Sequence, residues 1–158
     1  MHQDTPTDAD IAEWLTILSV ESLCQWDVLV FLYHHQTSLI GADYLARLLG
    51  YAIEPVISAL DYLESLGFVG RSRVSQGARL YQFLTPTEPP RGNAFERLLS
   101  LHDHRAGRLA LSKHMQRDQS QKEEERRNEE AKASASAHLL SLQHPLARKG
   151  GGKWQRVI

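Results

Sequence analysis

The sequence predicts a mainly α-helical protein with one small β-hairpin. Apolar residues recur every three or four positions through much of residues 11–66, which is the spacing of helices that bury one face. Two runs with strand character, 68–74 and 79–84, are joined by a short turn that contains Gly77. A chain of 158 residues is long enough for one domain with a core and additional segments.

The N-terminal part predicts either one bent helix or two. Thr7 and Asp10 have the spacing of an N-cap followed by an acidic first turn. Ser19 or Ser22 offers a place for the helix to restart. The stretch after Ser22 is apolar on more than one face, so we expect it to be largely buried. A short first strand is expected at residues 38–40.

Two short helical patterns, at about 42–49 and 53–66, meet at Gly50. Glycine suits the left-handed position that follows the end of a helix, and Gly67 is expected to end the second helix in the same way. Pro55 lies in the first turn of that helix, where its missing N–H breaks no intrahelical hydrogen bond. The pattern is typical of two helices joined by a tight turn.

The segment 85–93 holds three of the six prolines and is predicted to be a connection. A helix is then expected from about Asn93 to residue 111, with an apolar stripe formed by Phe95, Leu98, Leu99, His102, Ala106, Leu109 and Ala110. Beyond it the sequence is polar and highly charged, which predicts a solvated helix that frays into disorder. We therefore expect a domain over residues 1–112 and a charged helical or disordered extension over 113–158.

The order of helix, glycine turn, helix and hairpin over residues 38–84 resembles the winged helix-turn-helix transcription regulators of the multiple-antibiotic-resistance and arsenic-repressor types. The run Leu66-Gly67-Phe68-Val69, which leads from the second helix into the wing, is part of that resemblance. The resemblance implies that helix 53–66 lies in the major groove of double-stranded DNA and that the wing contacts the backbone or minor groove. It also implies a homodimer formed through the flanking helices.

The candidate DNA-binding residues lie on these two helices and the wing. Arg71 and Arg73 are two positions apart and so share one face of their strand, Arg79 lies across the turn, and Gln76 is at the turn's tip. The full set is Arg47, Glu54, Ser58, Tyr62, Arg71, Arg73, Gln76 and Arg79.

Helix 53–66 is an unusual reading helix because it is acidic. Contacts to guanine normally use Arg or Lys, and contacts to adenine use Asn or Gln. This helix has none of these and carries Glu54, Asp61 and Glu64. We therefore expect affinity to come from phosphate contacts of the wing arginines, with weak sequence preference. One alternative for the wing is a solvated hairpin whose arginines pair with Glu64 or Asp61 at little energetic benefit. The alternative for the whole chain is a protein–protein interaction module without specific DNA binding.

Other classes of function are not supported by the sequence. A net charge of −1 gives no global attraction to a polyanion. The sequence shows no nucleophile elbow, phosphate loop, paired thiols or carboxylate dyad, so we expect no enzyme activity and no cofactor. Asp103 and His114 would lie about 16 Å apart on one helix, too far for one metal ion. The N-terminus does not resemble a secretory signal and no segment predicts a membrane span, so a cytoplasmic protein is expected.

Overall fold

The computed structural model describes residues 6–73 and 77–142, which form six helices and one three-stranded antiparallel sheet. The predicted mainly α fold with a small hairpin is confirmed, and its central part is a winged helix-turn-helix flanked by helices. In chain order the elements are α1 Asp8–Leu18, α2 Leu23–His34, β1 Ile40–Gly41, α3 Ala42–Leu49, α4 Ile53–Ser65, β2 Val69–Arg73, β3 Arg79–Phe83, α5 Pro89–His102 and α6 Arg105–Leu142.

The N-terminal apolar stretch forms two helices. Thr7 and Asp10 make a reciprocal capping box at the start of α1. Ser19 ends α1 in the left-handed conformation with φ 57°, and the side chain of Ser22 caps α2 by accepting from the N–H of Gln25. The two helices meet at 73°. Among the described residues, no single helix has both the length and the apolar character needed to cross a membrane.

The helix-turn-helix is built as the sequence predicts. Gly50 adopts φ +76° between α3 and α4, and its N–H donates to the carbonyl of Ala46. Gly67 has φ +79° just beyond α4. The two helices hold their relative position through fully buried side chains, which are Leu45, Val56, Leu60 and Leu63.

The sheet has the strand order β1-β3-β2. The first strand lies at residues 40–41, slightly later than the predicted 38–40, because Ile40 pairs with Tyr81 of β3. In the hairpin, Val69 pairs with Phe83 and position 71 with Tyr81. Val69, Tyr81 and Phe83 are buried, so this face of the hairpin covers the core.

The predicted boundaries of the fifth helix are wrong at both ends. The connection ends at Glu88, because Pro89 and Pro90 occupy the first turn of α5, where proline's missing N–H breaks no helical hydrogen bond. The predicted helix over 93–111 is broken after His102, and α6 begins at Arg105. The break changes which face is covered: Leu111 and Met115 are buried, whereas three residues of the predicted stripe are exposed, namely Ala106, Leu109 and Ala110.

The corner between α5 and α6 is closed around Gly107. A Cβ atom added at Gly107 would lie 2.3 Å from the carbonyl oxygen of Leu101 in the last turn of α5. That distance is far below van der Waals contact, and the obstructing atom belongs to the backbone. The corner therefore requires a residue without a side chain.

Trp26 lies at the centre of the core and is fully buried. Its indole ring makes an edge contact with Phe95 of α5 at 6.0 Å between ring centroids. Phe95 also stacks on Phe83 of the wing at 5.5 Å. Trp26 and Phe95 thus join α2, α5 and the sheet into one core.

Contacts divide the chain into two units after Ser120. In the second unit, every described side chain of residues 121–139 is exposed. The helix is supported there by ion pairs along its surface, such as Arg126 with Glu123 at 2.7 Å and with Glu130 at 2.8 Å. The helix continues to Leu142, past the stretch where fraying was expected.

Gly107→Ala should destabilise the protein by about 1–3 kcal/mol, because the new methyl group must push the α5–α6 corner apart. Urea unfolding followed by circular dichroism measures the change. Gly92→Ala is the matched control: the nearest atom to its added Cβ is 4.0 Å away, inside α5. Alanine is the better helix former, so the control should gain about 0.5–1 kcal/mol. Equal stability of the two variants would contradict a closed corner.

Candidate nucleic-acid interface

The surface of α4 that faces away from the core is exposed. Its residues are acidic, small or apolar, and none of them is Lys, Arg, Asn or Gln. The outer face of α4, as we call this surface, consists of Glu54, Pro55, Ile57, Ser58, Asp61 and Ser65. Two of the predicted DNA-binding residues, Glu54 and Ser58, are therefore accessible.

Tyr62 differs from its neighbours because it is only partly exposed. Its hydroxyl donates a 2.9 Å hydrogen bond to the carbonyl of Ser19, the left-handed residue that ends α1. The side chain of Tyr62, one of the predicted DNA-binding residues, therefore lies against the corner between α1 and α2. This contact ties α4 to the N-terminal helices.

Arg71 lies against α4. Its Nε donates to Glu64 Oε2 at 2.9 Å, its Nη2 contacts the same oxygen, and Nη2 also lies 3.3 Å from Asp61 Oδ1. We call this group, Arg71 with Asp61 and Glu64, the Arg71 clamp. The hydrogen bond to Glu64 raises the pKa of Arg71 above its ordinary value, so the guanidinium stays charged. The pairing considered in the alternative interpretation is thus present for Arg71.

The other predicted arginines are placed differently. Arg47 is exposed in the last turn of α3, and Arg79 is exposed at the start of β3. The backbone of Arg73 pairs with that of Arg79 across the hairpin, so the chain brings these two positions together. Gln76 lies outside the described residues.

The winged module carries no net charge. Over residues 38–84, four arginines at 47, 71, 73 and 79 balance four carboxylates at 43, 54, 61 and 64. Attraction to a polyanion therefore depends on how the charges are arranged. Within the module, α4 contributes three of the carboxylates and no basic side chain, and the hairpin contributes three of the arginines.

The same module displays apolar side chains. Of the seven large apolar side chains that are exposed in the described part of the chain, five lie in residues 38–84: Leu39, Tyr44, Leu48, Ile57 and Leu84. Tyr44 and Leu48 are one helical turn apart on α3, so they share its outer side. A surface that contacts DNA does not require so many exposed apolar side chains.

A cleft of about 450 Å³ lies between α2, α3 and the α5–α6 corner. Its polar lining includes Asp27, His102 and Arg108. Asp27 accepts a 2.7 Å hydrogen bond from the hydroxyl of Tyr51. Burial raises the pKa of that phenol, and the hydrogen bond to Asp27 raises it further. Sequence reasoning missed this group because its members are far apart in the chain, and it placed His102 in the apolar stripe of the predicted fifth helix. No set of three metal-binding side chains occurs within residues 6–73 and 77–142.

His102 is held in its neutral form. The indole Nε1 of Trp26 donates to Nδ1 of His102 at 3.2 Å, so the ring's own proton sits on Nε2. Burial lowers the pKa of His102, and the nearby Arg108 lowers it further. Burial also raises the pKa of the partly buried thiol of Cys24.

Comparisons with known proteins return solved structures only. No protein-family model matches the sequence, and no curated protein is similar enough to count as a match. A mutant of S. aureus MepR bound to an oligodeoxyribonucleotide is similar at 21% identity and a TM-score of 0.48, covering 85% of this chain and 88% of that one. Mutant MarR from E. coli has 22% identity and a TM-score of 0.46, covering 77% and 85%. A MarR-family regulator from Silicibacter pomeroyi has 15% identity and a TM-score of 0.42, covering 89% and 84%.

The state of His102 predicts how stability changes with pH. Because its pKa is lower in the folded chain than its ordinary value of 6.5, the unfolded chain binds the proton more readily. The stability that neutral His102 contributes is therefore fully present above pH 6.5 and is lost as the pH falls from there through the folded-state pKa. His102→Gln keeps an acceptor for Trp26 but cannot titrate, so its unfolding free energy should fall less over that range. Urea titrations at several pH values measure this, and His104→Gln, at an exposed position, should behave like the unaltered protein.

Proposed function

We propose that this chain binds double-stranded DNA through its winged helix-turn-helix and regulates transcription. The observation that carries the proposal is the exposed outer face of α4, set beside a hairpin that bears Arg71, Arg73 and Arg79. A helix of 13 residues is about 20 Å long, and a major groove about 12 Å wide admits it. A regulator of this kind acts where the chromosome lies, so the proposal includes the cytoplasmic location expected from the sequence.

In this proposal the residues have unequal roles. Ser58 and Glu54 are the predicted contact residues of α4 that are accessible. The usual major-groove contact of a carboxylate is with the amino group of cytosine. Arg47 and Arg79 are exposed cations suited to phosphates. Affinity should then come mainly from phosphate contacts, and sequence preference should be weak.

Arg79→Ala should weaken binding to a fluorescein-labelled duplex of arbitrary sequence by about threefold to tenfold at about 50 mM salt, and should reduce the salt slope by about one. Fluorescence anisotropy at about 50 mM and about 200 mM salt measures both quantities. Arg117→Ala is the matched control, because Arg117 is an exposed arginine that pairs with Asp8 at 2.9 Å. Failure of the unaltered protein to bind even at the lower salt would contradict the proposal.

We also propose that the chain acts as a homodimer formed by its outer helices. The first turns of α6 leave Leu109 56% exposed beside Ala106 and Ala110, while the next residue, Leu111, is buried in the core. One helix can thus cover its own domain with one side and offer an apolar side to a second copy. Two copies would place two wings against two half-sites.

Leu109→Glu should convert the dimer to a monomer, because a carboxylate would replace an apolar side chain at the contact between copies. Sedimentation velocity at micromolar concentration reports the change. Leu139→Glu is the control, since Leu139 is 63% exposed in the second unit. A monomeric unaltered protein, or an unchanged sedimentation coefficient for Leu109→Glu, would argue against this contact.

A second candidate function is a protein–protein interaction module. It is favoured by the neutral charge of residues 38–84 and by the exposed pair Tyr44 and Leu48 on α3. The same anisotropy experiment separates the two functions, because the interaction module is favoured only if the protein does not bind DNA at low salt. That function then requires a protein partner that stays bound after nuclease treatment and does not bind the Tyr44→Ala variant.

A further inference from the structure

The forked side of the Arg71 guanidinium is already occupied in the free chain. Glu64 accepts from Nε and Nη2, and Asp61 lies within reach of Nη2. A phosphate group is recognised by the same kind of contact, with parallel N–H donors facing anionic oxygens. The carboxylates of the Arg71 clamp therefore occupy the donors of Arg71 and balance its positive charge, and a DNA phosphate would need both.

We propose that Asp61 and Glu64 act as an internal substitute for phosphate, which DNA must displace from Arg71 before this arginine can bind the backbone. This inference rests on the proposed DNA binding and specifies how that binding is limited. The two carboxylates lower affinity for duplexes of every sequence, so that a stretch of DNA is retained only where it makes further contacts with the module. The two carboxylates thus disfavour DNA that makes no further contacts, which is one way in which a protein discriminates between binding partners.

The exposure of the Arg71 clamp makes the exchange feasible. The side chains of Arg71 and Glu64 are 33% and 32% exposed, and that of Asp61 is 48% exposed. Ion pairs in contact with water are weak and screened by salt, so a phosphate can compete with them. A fully buried pair would instead hold the arginine permanently.

Simple repulsion between α4 and DNA would also weaken binding, and the chain offers controls that separate the two effects. Glu54 lies on the same helix, is exposed, and makes no contact with Arg71 among the described residues. Asp8 pairs with Arg117 on another surface, so Asp8→Asn also frees an arginine and changes the net charge equally. Among the side chains that the structure describes, the Arg71 clamp alone combines a carboxylate of α4 with an arginine of the wing.

The test measures anisotropy of a labelled duplex of arbitrary sequence with the full-length chain and its variants. Glu64→Gln should raise affinity by about threefold to tenfold at about 50 mM salt and steepen the salt slope by about 0.9, the value for one added phosphate contact. Asp61→Asn should change both quantities in the same direction but less, since it removes the longer contact. Glu54→Gln and Asp8→Asn should change affinity by about twofold or less.

The decisive comparison repeats Glu64→Gln in a chain that also carries Arg71→Ala. The gain should shrink there to that of Glu54→Gln, because no arginine remains to be released. An equal gain with and without Arg71 would overturn the inference in favour of general repulsion. Unchanged affinity of Glu64→Gln, with unaltered protein that still binds and loses affinity on Arg79→Ala, would overturn it while the proposed function stands. Absence of binding by every variant would instead overturn the proposed function, and the inference with it.

Discussion

The pairing register of the hairpin is the constraint on which the candidate interface depends. Val69 and Phe83 oppose each other and are both buried, so this face of the wing turns toward the core. Arg71 is the next position on the same face of β2, just beyond the apolar part, and it therefore meets the acidic side of α4. A shift by one residue would move the apolar row out of the core. Burial of two apolar side chains thus decides where a charged one lies.

The central module could be predicted from sequence because its signals are local. Gly50, Gly67 and Pro55 mark the ends of α3 and α4, and alternation marks the hairpin. The α5–α6 corner could not be predicted from sequence, since helical periodicity runs through residues 102–105 without a proline or glycine. Packing of Leu111 and Met115 accompanies the break there. Gly107 was the available local signal, but a single glycine is also tolerated inside helices.

The site shows a similar division. Composition alone identified α4 as acidic and the wing as basic, and it offered pairing with Glu64 or Asp61 as an alternative. Whether Arg71 meets those carboxylates depends on how β2 passes over α4, which no local pattern reports. The bond between Tyr62 and Ser19 and the cleft around His102 likewise join residues distant in sequence. Spacing rules address neighbours within one element, so such contacts remained invisible to them.

The tight corner at Gly107 has a consequence for how sequence variation in this protein should be interpreted. A survey of tolerated substitutions would rank Gly107 among the most restricted positions, although its restriction comes from a backbone carbonyl and involves no ligand. Asp61 and Glu64, being partly exposed, would vary freely in a selection for folding alone. Intolerance to mutation would therefore point to the α5–α6 corner and away from the wing, and only a selection for binding would reverse that ranking.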